Sequence, residues 1–138
     1  MPAPVKMFSE NGMIYLKKIS LKRSTIIFLA ITWLLVVTVL LCMPGSEFPT
    51  ITWLNKIWFD KWVHIGLFLV LVAVWCRVYV NKKTFLRISL VALLYGAAME
   101  LVQHYFIPFR SFDAGDIIAD GIGCAAGYFI AVKYFLKK

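Results

Sequence analysis

Three short groups of residues carry most of the chemistry available to this chain. Asp60, Lys61 and His64 sit within one turn of helical spacing, Glu100, Gln103 and His104 within another, and Arg110, Ser111, Asp113, Asp116 and Asp120 lead into a further apolar run. A carboxylate beside an imidazole is a minimal acid–base kit, which makes Glu100, His64 and Asp116 the candidate catalytic groups. Asp60/His64 and Glu100/His104 are each one turn apart, and oxygen with imidazole nitrogen suits zinc, manganese or iron. No HExxH or cysteine-rich signature accompanies them, so neither a resident metal nor another cofactor is expected. Arg110 and Lys61 supply positive charge, and a guanidinium grips a carboxylate or a phosphate at two points. Ser111 is the nearby hydroxyl, with nothing in the spacing to activate it as a nucleophile.

These groups must be positioned by elements that the composition identifies. Of 138 residues, 62% are hydrophobic, and the mean hydropathy is +0.81, well above an ordinary soluble domain. A span needs about 20 apolar residues to cross a hydrocarbon layer about 30 Å thick. The pattern predicts four spans, over 24–43, 62–80, 84–104 and 116–134, preceded by a basic arm over 1–23. The fold class is therefore all-α, an integral membrane bundle of four transmembrane helices occupying 24–138. The short alternating strands of a membrane barrel are absent. Asn81-Lys82-Lys83 is too short to do anything but join antiparallel neighbours, which points to a compact up-down bundle. The first span is long for a signal peptide and lacks a small-residue cleavage site after it, so it is read as uncleaved. Cys42, Cys76 and Cys124 lie in or at the end of different spans and are read as small apolar residues rather than a disulfide or a metal knuckle.

The net charge of +8 is explained by orientation and anionic lipid rather than by nucleic acid, which is not an expected partner. Twelve basic residues fall in the arm, the junction around Lys82 and the tail, against three, Lys56, Lys61 and Arg110, on the other side. The positive-inside rule then puts both termini in the cytoplasm. Glu47, Asp60, Glu100, Asp113, Asp116 and Asp120 gather at the opposite end. Trp53, Trp58, Phe59 and Trp62 flank the same end of the second span, which predicts a 44–59 connection lying along the membrane surface.

With a rise of about 1.5 Å per residue, His64, Glu100 and Asp120 each fall roughly one turn below the outward end of their helix, and so at one depth. Ionisable groups there face the bundle interior and find partners, as functional groups or as cross-links between helices. Arg110 has two readings, either pairing with Asp113 or Glu100 to tie down a connection, or receiving an anionic headgroup together with Lys61. Gly123 and Gly127 form a small-xxx-small step that lets the fourth helix approach a neighbour closely, and Gly96 makes similar room on the third. Pro108 ends the third helix and shapes the turn presenting Arg110.

The ordered set Asp60-Lys61-Trp62-Val63-His64, Glu100-Leu101-Val102-Gln103, Pro108-Phe109-Arg110-Ser111-Phe112-Asp113 and Asp116-Ile117-Ile118-Ala119-Asp120-Gly121-Ile122-Gly123 resembles the VanZ-like family of small bacterial membrane proteins, over about residues 60–128. The family usually carries Asn where this chain has Asp120, which adds negative charge here. The resemblance implies a multi-pass protein of the bacterial cytoplasmic membrane, with a namesake associated with resistance to the lipid-bearing glycopeptide teicoplanin. Membrane lipids are the expected partners, with an anionic lipid or lipoglycopeptide as ligand. The ligand set is then Arg110, Lys61, Asp60, His64, Glu100, Gln103, His104, Asp113, Asp116 and Asp120. Two alternatives stand beside this: a membrane-embedded acid–base or metal-dependent enzyme on a lipid-linked envelope substrate, and a polar network that only locks the bundle.

Overall fold

In the computed structural model, the backbone is described for residues 5–7 and 14–16, and the chain is described for residues 21–44, 46, 58–79 and 81–136. Four long helices make up the body: α1 (Arg23–Leu41), α2 (Phe59–Arg77), α3 (Lys82–Phe106) and α4 (Ala114–Phe135). All four are long and apolar enough to cross a membrane. Most of the expected 44–59 connection, including Glu47, Trp53 and Lys56, lies outside the described residues. Within the arm, β1 (Val5–Met7) pairs antiparallel with β2 (Ile14–Leu16), matching Val5 to Leu16 and Met7 to Ile14. No strand is expected there from the pattern; Val5, Ile14 and Tyr15 are residue types that suit one.

The helix ends differ from the expected spans for local reasons. α1 stops at Leu41 because the chain tightens into a turn, Met43 N–H reaching Leu40 O at 3.3 Å, just ahead of Pro44. α2 starts three residues early and takes in Asp60 and Lys61, and it ends at Arg77. α3 absorbs Lys82 and Lys83 because the Asn81 side chain caps it, accepting from Lys83 N at 2.8 Å. α4 is capped in the same way, by Asp113 accepting from Gly115 N at 2.7 Å. Each cap satisfies a backbone donor that a helix start leaves unpaired.

α2 touches all three other helices and packs most extensively along α4. In lipid the hydrophobic effect does little to bring helices together, so close backbone approach and interhelical hydrogen bonds must do it. Gly123 and Gly127 allow that approach. A Cβ on Gly123 would stand 2.5 Å from Ile65 O, and one on Gly127 would stand 2.7 Å from Leu69 O. The neighbour anticipated for the glycine step is therefore α2. The core below it contains fully buried Phe68, Phe85, Val37, Val72 and Cys76. Phe28, Leu35, Val39, Leu94, Ile118 and Phe129 are each at least 60% exposed, an outer surface suited to lipid tails.

α1 is attached differently, by single polar bonds along its length. Trp33 Nε1 donates to Leu67 O at 3.1 Å, Thr38 Oγ1 pairs with Tyr95 Oη at 2.8 Å, and Gln103 Nε2 donates to Leu41 O at 2.8 Å. At the opposite end, Arg23 lies over the Tyr79 ring and Arg77 over Phe135, which brings the start of α1 and the ends of α2 and α4 to one side. Cys42, Cys76 and Cys124 are free thiols.

Candidate functional site

The polar end of the bundle is built from the first turn of α2, the last turns of α3 and the first two turns of α4. His64, Glu100, Asp116 and Asp120 are all buried there, Glu100 and Asp120 to 1% exposure, although they come from three helices. The three helices therefore converge here, as their helical spacing suggests. Such groups tolerate burial only when each finds a partner of opposite charge or a hydrogen bond.

Lys61 is the hub of the outer half. Its Nζ lies 2.6 Å from Asp116 Oδ1 and 3.1 Å from Asp60 Oδ2, and it also pairs with Asp113 Oδ2. The Lys61 side chain is 15% exposed and its ammonium is committed to three carboxylates. It organises the acids instead of standing open to an incoming anion. The hydrogen bond from Lys61 holds the Asp113 carboxyl below the usual aspartate value of 3.8.

Deeper in, His64 Nδ1 lies 2.9 Å from Asp120 Oδ1. That bond fixes the ring and turns Nε2 toward Asp116 Oδ2, 3.9 Å away. One ligand-type atom each from His64, Glu100 and Asp116 falls within 4.8 Å of the other two. Gly96 makes this possible in a way the spacing alone does not reveal. A Cβ at that position would collide with the Asp120 carboxylate, so the glycine on α3 is the seat for a side chain from α4.

The connection between α3 and α4 is pinned to the same centre. Asp113 N–H donates to Glu100 Oε2 at 3.1 Å, and Arg110 Nε donates to Met43 O at 3.4 Å, reaching the end of α1. Arg110 thus ties its turn to the end of α1. Phe109, just before it, has a left-handed φ of 60° and is 84% exposed.

Not every anticipated residue joins the centre. His104 is exposed; its Nδ1 accepts from Phe112 N at 3.4 Å and its ring meets Tyr105 edge-on. Glu100 and His104, although one turn apart, do not act as a pair. Gln103 is buried but serves the last carbonyl of α1. The side chain of Asp60 is 61% exposed at the rim, and Ser111 is exposed. The residues brought together are Lys61, His64, Glu100, Asp113, Asp116 and Asp120, with Asp60 joined to them at the rim through Lys61.

Compared with known proteins, the chain matches the family profile described as VanZ/LLP1 over residues 15–137. No curated protein matches it. No solved structure matches it either.

Proposed function

The chain belongs to the VanZ/LLP1 family, and from that premise we propose that it acts on the polar headgroup of an anionic envelope lipid or lipid-bearing amphiphile, at the outer face of a bacterial cytoplasmic membrane. The observation that carries this reading is a closed ionic centre rimmed by exposed aromatics. Trp58 is 67% exposed, Trp62 65% and Phe109 84%, and rings of this kind settle at headgroup level. Arg110 is the rim cation for an anionic headgroup; Lys61 holds Asp60, Asp113 and Asp116 in place behind it. Polar groups inside a membrane protein are functional by default, and the exposed tryptophans at the same end support a headgroup level for this centre.

The test is paired. Arg110→Gln and Glu100→Gln should each abolish protection of cells against a lipid-bearing glycopeptide such as teicoplanin and lower co-purification of anionic lipid, at unchanged membrane expression. Full protection in both variants would overturn the reading. The bond between His64 and Asp120 favours a second reading, in which His64, Glu100 and Asp116 move protons during a reaction at the headgroup. Turnover of a lipid-linked wall precursor by the purified protein separates it from binding.

A further inference from the structure

We propose that His64 Nε2, one Glu100 carboxylate oxygen and Asp116 Oδ2 form a binding site for one divalent first-row metal ion, of the zinc or manganese class. The proposal deepens the headgroup reading and rests on it for biological meaning, since a cation so placed would meet a phosphate or carboxylate entering from the rim.

The geometry points to a metal because each of the three residues is held from behind and open in front. His64 is held through Nδ1 by Asp120, Glu100 through Oε2 by the Asp113 backbone, and Asp116 through Oδ1 by Lys61. A carboxylate behind a ligating histidine and hydrogen bonds behind ligating carboxylates are the usual supporting shell of a metal site. One ligand atom from each of the three lies within 4.8 Å of the other two, and His64 Nε2 stands 3.9 Å from Asp116 Oδ2. Ligands about 2.0–2.2 Å from a tetrahedral ion stand roughly 3.3–3.6 Å apart, so the site closes with a contraction of at most about 1.5 Å.

A second observation is independent of that support. Glu100, 1% exposed, has no ion-pair partner among the described residues, and His64 Nε2 makes no hydrogen bond among them, its nearest acid lying 3.9 Å away. Two buried carboxylates beside one imidazole are costly unless enough positive charge lies close to them. A neighbouring acidic group provides the contrast. Asp60, Asp113 and Asp116 also come within reach of a common ion, but there the Lys61 ammonium already serves as the cation. The inner group shares that ammonium only through the far oxygen of Asp116, and Glu100 has no cation of its own among the described residues. Two carboxylates and one imidazole leave a fourth position open for water or a headgroup oxygen, as in catalytic rather than structural sites.

The full chain, purified in detergent and stripped by a chelator, should take up about one Zn2+ or Mn2+ per chain after dialysis against the metal alone and removal of excess. His64→Gln, Glu100→Gln and Asp116→Asn should each weaken uptake at least tenfold. Asp120→Asn, acting through His64, should weaken it about 10–100-fold, and Lys133→Gln at the far end should leave it unchanged. Because a variant could fail to fold, bound Mn2+ is also examined by pulsed electron paramagnetic resonance, where coupling to one imidazole nitrogen should appear in the unaltered protein. No stoichiometric ion, or an ion lacking nitrogen coupling, overturns the site. Loss of the ion with retained lipid co-purification and drug protection would sink the metal and leave the headgroup reading standing; a bound ion with no lipid or drug effect would do the reverse.

Discussion

The two ends of this bundle handle charge in opposite ways. At the basic end, Arg23, Arg77 and Lys133 lie over the rings of Tyr79, Phe135 and Tyr134, with cations 5.3–6.0 Å from the ring centroids. Long side chains can do this at a membrane boundary while keeping their heads near water. At the polar end, Lys61, His64, Glu100, Asp116 and Asp120 are turned inward, and each is placed by at least one specific bond. A charge left at the interface needs only approximate company. A charge carried into the bundle must be matched in position by partners from other helices, and Gly96, Gly123 and Gly127 show how much backbone is shaped to allow it.

The sharpest way to break this comparison is to remove one cation from each end. Lys61→Met leaves Asp116 without its ammonium and should destabilise the protein by about 3–5 kcal/mol, the usual cost of stranding half of a buried ion pair. Arg77→Met should cost about 1 kcal/mol or less, in the range of exposed pairs and cation–ring contacts. Unfolding of both variants in one detergent measures the difference, and equal losses would erase the distinction between the ends. A smaller effect is expected from Gly96→Ala, whose new methyl must displace the Asp120 carboxylate, at about 1–3 kcal/mol. Combining it with Asp120→Ala should cost less than the sum of the two single changes, because the collision and the His64 bond disappear together; strict additivity would show that the two positions do not share the space.

The smallest effect concerns pH. Asp113 has its carboxyl lowered by Lys61, so the stability it contributes is present above the ordinary aspartate value of 3.8 and fades as pH falls through the lower folded value. Its side chain is 47% exposed, and solvent screening keeps the effect modest. Asp113→Asn should flatten the acid limb of the thermal-stability profile below that value, and an unaltered limb would assign acid sensitivity to the inner groups.

Much of this arrangement is legible in the residues, for identifiable reasons. Apolar runs long enough to span a membrane announce four helices, and the spacing of Asp116 and Asp120, or of Lys61 and His64, already puts pairs on one helical face. The glycine step at Gly123 and Gly127 announces close approach, without saying that α2 is the partner. What spacing does not carry is side-chain direction between helices. Glu100 and His104 share a helical face by count, yet one is buried and the other exposed. Lys61 looks like an anion receptor in isolation and becomes a clasp once three acids from two helices surround it. Gln103, one turn from Glu100, turns instead to α1 and donates to Leu41 O, a carbonyl that the end of that helix leaves without an intrahelical partner. The Asp113-Ala114-Gly115 start of α4 carries a signal readable in the residues, an N-cap aspartate ahead of an apolar run.

Asp113 has a practical consequence. Its backbone N–H is held by Glu100, its Oδ1 by Gly115 N, and its Oδ2 by Lys61. One residue therefore records in its own amide the position of an acid on α3, and passes it to the amide of Gly115. Isotopic labelling at those two nitrogens would give a native reporter of whatever reaches the buried carboxylates, readable by chemical shift before any physiological ligand has been identified.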